Sequence, residues 1–463
     1  MTQIKNINNR TADGKLPSIS LIKSIFNKAK NNELYTKKFR GSSLNTWEDF
    51  FKLPLTHKED LRGLSPEGTL AIPRKDAWHY HESFGTTGTP VSSWFTADDY
   101  EREVNQTWRW TSCIKPGMLV LNRFPYSFAV PPFILELKCS RDGGIIVPAG
   151  YLSWNVTYPR TLEIIKRLKI EAIGCLPNEL IMLEIIGEKL GYDIKRDFSS
   201  LNYVLVSGAI VPLALKEYIE NRWNASVRSV YGSTETGGIA SSCEKGNLHI
   251  HANAFILEIL DPETYEPVKP GETGVLVVTS YYRKASPLIR FVTRDICRMI
   301  PGKCPCGDPH PVIQTLGRMD DEIHLHGKKI YSYNLEQSLL EFGKQFNSAV
   351  YFVIITKNKL HIRIETHNNK KKPDEKSLNE LKEKLIVPLK VHVCSKGELL
   401  DAGFLLRSPE VYKPVIISDW KKEPLRPVTL TEALIKWPKV GLHGFIDIIR
   451  RFLTNAILRK ILK

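Results

Sequence analysis

Ser83-Phe84-Gly85-Thr86-Thr87-Gly88-Thr89-Pro90 carries two glycines among a dense run of hydroxyls. Glycine frees the backbone to wrap, and successive N–H groups in such a turn form an anion nest suited to phosphate. No Gly-Lys-Ser/Thr follows, so this is not a Walker loop; the bland alternative is a Thr/Gly-rich surface loop. Tyr231-Gly232-Ser233-Thr234-Glu235-Thr236-Gly237 follows directly on the strand-like run 227–230. Strand ends in open α/β sheets are where ligands dock. There Tyr231 can stack on a base and Glu235 can hold Mg2+, a hard ion that prefers oxygen; otherwise Glu235 is a solvated residue at a turn. In Arg290-Phe291-Val292-Thr293-Arg294-Asp295, Asp295 can accept both hydroxyls of a ribose, unless it and Arg294 are simply neighbours on a turn. Cys243, His249, His251, Cys304, Cys306 and His310 make a further constellation. A C-x-C turn with a distant Cys and His can supply a tetrahedral structural zinc site, and the alternative is free thiols on a polar turn.

Elements must position these residues. Apolar runs at 118–122, 144–147, 172–175, 203–206 and 227–231 alternate with helix-like stretches at 98–110, 158–168, 179–190 and 213–223. Strand then helix at this spacing is the signature of βαβ units, hence a mostly parallel sheet covered by helices. From 255 to 278, turns at Asp261-Pro262-Glu263-Thr264 and Pro270-Gly271-Glu272-Thr273-Gly274 predict antiparallel strands and a change of architecture there. A second change falls at Gly317-Arg318-Met319-Asp320-Asp321, after which strands and helices over about one hundred residues predict a small α+β domain. A domain boundary is where residues absorb backbone rotation during closure. The reading is an α/β protein with domains 1–317 and 318–420 and a tail 421–463.

The chain has 463 residues, 42% hydrophobic and 25% charged, which suits two to four globular domains and excludes wholesale disorder. No uncharged apolar run approaches the roughly 20 residues of a membrane span, and no signal peptide is apparent. Eight cysteines are too few for a disulfide framework, and Cys113, Cys139, Cys175 and Cys394 stand among apolar neighbours, so a cytoplasmic location is expected. The net charge is +15, of which +7 sits in residues 421–463. No zinc-finger, helix-turn-helix or RNA-binding signature accompanies it, so nucleic acid is not the expected partner. Residues 442–462 read as a basic amphipathic helix that can dock on its own domain, bind anionic membrane or meet a protein partner.

Taken together and in order, the segments 83–90, 231–237, 290–295 and 317–321 resemble the adenylate-forming (AMP-binding) acyl ligases, and within them the phenylacetate–CoA ligase branch. Supporting phrases are Leu53-Pro54-Leu55-Thr56 before a Lys-Glu-Asp-Leu run, Gly271-Glu272-Thr273-Gly274, Cys304-Pro305-Cys306-Gly307 and Gly317-Arg318, and the likeness spans about residues 15 to 420. It implies a large N-terminal domain of mixed and parallel sheets flanked by helices, with a β subdomain and a small mobile C-terminal domain. It also implies that a carboxylic acid reacts with ATP to give acyl-AMP, and that CoA, an amine or a carrier then takes the acyl group.

By that resemblance Ser83, Gly85, Thr86, Thr87, Gly88 and Thr89 hold the β- and γ-phosphates. Gly208 and Ala209 flank the adenine on which Tyr231 stacks, with Gly232 beside it. Thr234 touches the α-phosphate, Glu235 binds Mg2+, Asp295 holds the ribose, Arg318 contacts nucleotide, and Asp320 is the hinge. Lys413 is the lysine of the adenylation step, ahead of Lys421 and Lys422. Cys243, His249, Cys304 and Cys306 are the implied zinc ligands, with His310 as substitute. The sequence departs from the family at Phe84, Thr89 and Ile210, where serine, lysine and glutamate are usual. Phe124, Tyr126, Phe128 and Trp154 are candidates for an aryl-sized acid pocket or for plain core. The rival of another class is an idle nucleotide-binding partner protein, against which Glu235, Asp295, Arg318 and Lys413 together argue.

Overall fold

The computed structural model describes residues 17–83, 89–151, 155–407 and 417–419. Its centre is one sheet of eleven strands. The order across it is β10-β11-β12-β13-β9-β8-β7-β6-β5-β3-β4, where β3 is Leu119–Asn122, β4 Ile145–Pro148, β5 Ala172–Cys175, β6 Tyr203–Val206, β7 Ser226–Ser233, β8 Gly237–Ser242, β9 Leu248–Ile250, β10 Phe255–Leu260, β11 Thr273–Ser280, β12 Phe291–Ile300 and β13 Val312–Arg318. β3 to β7 pair in parallel, as the alternating strands and helices predicted. From β7 onward the pairing is antiparallel, so the architecture changes at the β7–β8 turn and not near residue 255. The reason is Gly232 and Gly237, whose tight reversal the apolar pattern of 227–231 does not announce.

The central parallel strands β3, β5 and β6 are buried on both faces, which is why 172–175 is an unbroken apolar run. Helices Tyr158–Leu168, Pro177–Lys189 and Leu213–Trp223 cover one face through Leu162, Leu183 and Ile219; Ala97–Gln106 and Pro131–Asp142 cover the other through Val104 and Leu135. The stretch 98–110 is broken at Thr107, whose hydroxyl donates to the Glu103 carbonyl at 2.8 Å.

Ahead of the sheet, helices Ile19–Ala29, Glu33–Lys38, Trp47–Lys52 and Lys58–Arg62 form a separate layer. Asn32 caps the second by accepting the Tyr35 N–H at 2.8 Å, and Asp60 fixes the last by accepting the His57 N–H at 2.7 Å. Their apolar faces, Ile22, Phe26, Phe39 and Phe50, pack on Ile256, Ile289 and Phe291. Tyr35 Oη accepts the Ile289 N–H at 2.8 Å, and Thr56 Oγ1 donates to the Ile289 carbonyl at 2.8 Å.

Beyond Arg318 a hairpin of β14 (Ile323–Leu325) and β15 (Lys328–Ile330) leads to a four-stranded sheet, β18-β17-β16-β19. Its members are β16 (Tyr351–Ile355), β17 (Leu360–Thr366), β18 (Leu389–Ser395) and β19 (Ile417–Asp419), with helices Ser332–Gly343 and Glu375–Leu385 packed against them. The apolar core of this unit is continuous with that of the large sheet's helices. Polar ties cross between them: Lys396 to Glu188 at 2.5 Å, Lys344 to Glu217 at 2.7 Å, and the Ala214 N–H to Gln337 at 2.9 Å. Among the described residues no helix is long and apolar enough to cross a membrane. Lys413 and the tail 421–463 lie outside the described residues.

Candidate active site

β7 rises through the parallel half, turns at Thr234–Thr236 and returns as β8. The reversal is so tight that a Cβ on Gly232 would stand 2.0 Å from the Gly237 carbonyl oxygen, and Gly237 has φ +73°, so both positions require glycine. Glu103 braces the turn from behind. Fully buried, it accepts the Gly238 N–H and the Tyr282 hydroxyl, and burial pushes its carboxyl above the usual range. Inside the turn, Thr236 Oγ1 accepts the Ser233 N–H at 3.1 Å. Glu235 is thereby held almost buried, at 6% exposure.

Lys58 Nζ pairs with Glu235 Oε1 at 2.9 Å. Burial alone would raise this carboxyl, but the Lys58 ammonium together with hydrogen bonds inside the turn keeps Glu235 below its ordinary range. A buried, ionised oxygen donor fits a hard cation such as Mg2+. Sequence reasoning missed Lys58; the Lys-Glu-Asp-Leu run was visible, but nothing in it announced a partner far along the chain.

Asp295 faces the same space. Tyr231 Oη donates to Asp295 Oδ2 at 2.6 Å, and Arg318 Nε lies 3.5 Å from Oδ1. Burial raises the Asp295 carboxyl, with Arg318 opposing it. Asp295 and Arg318 are register partners on β12 and β13. Arg294 and Asp295 are not idle neighbours: Arg294 reaches Asp320 with Nη2–Oδ1 at 2.5 Å and Nε–Oδ2 at 3.2 Å.

The structure thus brings together Tyr231, Glu235, Asp295 and Arg318, with Gly232 and Thr234 in the intervening turn and Asp320 one pair away. Gly208, at φ +82°, and Ala209 follow the end of β6, which pairs with β7 through Val206 and Ser229. Ser83 and Thr89 flank the phosphate-loop candidate between β1 (His79–Glu82) and β2 (Ser92–Phe95), where Ser83 Oγ accepts the Val91 N–H at 2.9 Å. Gly85, Thr86, Thr87 and Gly88 lie outside the described residues, as does Trp154. Phe124 is buried against Trp110 and is core. Tyr126 is half-buried, donating to Glu136 at 2.5 Å, and Phe128 is exposed.

Cys243, His249, Cys304 and Cys306 meet elsewhere on the antiparallel half, with their ligand atoms all within 4.8 Å of one another. Cys243 Sγ to Cys304 Sγ is 3.9 Å, close to the edge of about 3.8 Å expected for a zinc tetrahedron with thiolates. Cys306 Sγ to His249 Nε2 is 3.3 Å. His249 Nδ1 donates to the His310 carbonyl at 2.9 Å, which turns Nε2 toward the thiols. His310 itself bonds Asp308 and Arg109, at 2.7 and 2.8 Å, and His251 bonds the Gly238 carbonyl, so neither joins the set.

Residues 84–282 match the family model of the AMP-binding enzymes. The phenylacetate–coenzyme A ligase of Thermus thermophilus is 30% identical over 311 residues, 66% of this chain and 67% of that protein. This chain belongs to the phenylacetate–CoA ligase family. The Escherichia coli member is 25% identical over 324 residues, 67% of this chain and 72% of that protein. Among solved structures, 2-hydroxyisobutyryl-CoA ligase in its postadenylation state with 2-HIB-AMP superposes on this family member with a TM-score of 0.72 at 18% identity, over 87% of this chain and 88% of that one. The same ligase in its thioesterification state scores 0.59 at 19% identity, over 87% and 90%.

Proposed function

We propose that this chain is an AMP-forming acyl–CoA ligase acting on an aromatic carboxylic acid. A carboxylate oxygen attacks the α-phosphorus of ATP and pyrophosphate leaves; the CoA thiol then attacks the acyl carbon and AMP leaves with the bonding electron pair. The observation that carries this reading is the convergence, in a member of this family, of Tyr231, Asp295 and Arg318 beside a buried, ionised Glu235. Such transfers are mostly positioning and charge neutralisation.

Asp295 accepts the ribose hydroxyls, and its bond to Tyr231 Oη fixes the ring that stacks on adenine beside Gly208 and Ala209. Thr234 meets the α-phosphate, the loop 83–89 the outer phosphates, and Arg318 the nucleotide. Glu235 holds Mg2+, which when bound neutralises phosphate charge. Asp320 is the hinge between units 1–317 and 318–420, and Lys413 belongs to the second unit. Tyr126 and Phe128, with an aromatic acid in the names of the relatives, favour an aryl substrate. The four-donor cluster holds structural zinc. Eight unpaired cysteines suit a reducing compartment.

Acid-dependent pyrophosphate exchange across a panel of aryl and alkyl acids tests the activity, and thioester against amide formation then tests the acceptor. No exchange with any acid would end the proposal.

Lys58→Met keeps the stem and removes the charge. Glu235 then has burial without its counter-charge and titrates higher, so less of it is ionised at acidic pH. The acid limb of the exchange profile should move up by about one pH unit or more. The stabilising contribution of the Glu235 pair, present above the ordinary carboxylate range and lost as pH falls through the folded value, should vanish with it. A profile superposable on the unsubstituted enzyme would refute this role for Lys58.

A further inference from the structure

We infer that Arg294 is a positioning residue of the first half-reaction: through Asp320 it holds the small C-terminal unit in the arrangement that serves adenylation. The inference rests on the ligase reading above.

The backbone around Arg294 is unusual for a strand. β11 and β12 pair at Val275–Ile296 and again at Val277–Val292, so four steps along β12 oppose two along β11. Residues 293 to 295, which stand opposite Leu276 alone, form a bulge. Thr293 pins it, donating to the Leu276 carbonyl at 3.0 Å and accepting the Asp295 N–H at 3.1 Å. Arg294 at its crest has φ +65°, a conformation that side chains other than glycine and asparagine rarely adopt. Strained backbone of this kind persists where the surroundings impose it, and it clusters at functional sites.

The bulge sends two neighbouring side chains in different directions. Asp295 goes to Tyr231 and Arg318; Arg294 goes to Asp320, gripping both carboxylate oxygens at 2.5 and 3.2 Å. A planar guanidinium holding a carboxylate by two bonds fixes its orientation as well as its charge. Asp320 sits in the short 3₁₀ turn Met319–Asp321 that leaves β13, and every covalent path from the large sheet to the small unit passes through it. Rotation about this turn changes the direction of its side chain, so the clasp can exist in one arrangement only. A contact made in one of two states shifts the equilibrium by its differential strength.

In the present arrangement the small unit packs on helices Pro177–Lys189 and Leu213–Trp223, tied by Lys396–Glu188 and Lys344–Glu217. The higher TM-score against the postadenylation state than against the thioesterification state, 0.72 against 0.59, supports assigning this arrangement to the adenylation side of the cycle.

The pair is partly exposed, 36% at Arg294 and 56% at Asp320, so its effect is modest. Arg294→Ala should lower acid-dependent pyrophosphate exchange roughly fivefold, while thioester formation from supplied acyl-AMP and CoA holds or rises. Arg294→Lys, which keeps the charge without the fork, should fall between. The double variant Arg294→Ala/Asp320→Ala should be no worse in exchange than the poorer single variant, because both act through one contact. An equal fall in both half-reactions, no change in either, or losses that multiply in the double variant would each overturn the clasp. The unsubstituted enzyme is assayed first; its failure to exchange with any acid would sink the ligase reading instead.

Discussion

Replacing Lys413 by alanine should reduce acid-dependent pyrophosphate exchange by roughly 10²–10³-fold or more, while the variant still converts supplied acyl-AMP and CoA to thioester. As the acid oxygen approaches the α-phosphorus, charge builds on the equatorial oxygens of a centre that must pass through five-coordination. A compact ammonium placed there stabilises that charge more than it stabilises bound ATP, and this difference is what accelerates the step. In the second step the electrophile is an acyl carbon and the phosphate is only a leaving group, so the same lysine has little left to do. The place of Lys413 in the sequence, within Leu405–Pro414, together with the family resemblance, supports it over Lys421 and Lys422. Exchange at the unsubstituted rate in Lys413→Ala, with loss in Lys421→Ala or Lys422→Ala, would reassign the role.

Cys304→Ser/Cys306→Ser should lose a near-stoichiometric zinc and several kcal/mol of stability with it, because metal that binds only the folded chain adds its binding free energy to folding. The cluster gathers donors from β8's end, from β9 and from the turn before β13, and β9 meets β13 in the register pairs His249–Val312 and Leu248–Ile313. Those two pairs are a short seam. Metal release should therefore open the β9–β13 seam first, read as increased amide exchange at 248–250 and 312–313 before the parallel half responds. Elemental analysis of the purified protein finding far less than one zinc per chain would remove the idea.

The parallel half was legible because its strands are apolar runs separated by amphipathic helices, and the helices Tyr158–Leu168 and Leu213–Trp223 fall where the pattern puts them. Tyr231, Glu235, Asp295 and Arg318 were legible because chemistry constrains residue type within short segments. What escaped was of another kind. Lys58, Glu103 and Arg294 owe their place to partners brought near by tertiary pairing, at sequence distances no periodicity reports. The early switch to antiparallel pairing escaped because it depends on two glycines at one reversal. The second strand of the β14–β15 hairpin escaped because Lys328–Ile330 is too short and too polar to read as a strand.

The N-terminal layer of helices has a consequence for how the chain is made. Tyr35 and Ile289 are bonded across 254 residues, and Thr56 and Ile289 across 233. At roughly 5–20 residues per second, the ribosome delivers the second partner on the order of ten to fifty seconds after the first. Through that interval Ile22, Phe26, Phe39 and Phe50 have no strands to cover them, which makes them natural ground for a chaperone. Lys58 belongs to the same waiting segment, so the charge that keeps Glu235 ionised is emplaced only as the last strands of the large sheet close. A nascent chain halted before β12 would own most of its parallel core and no working centre.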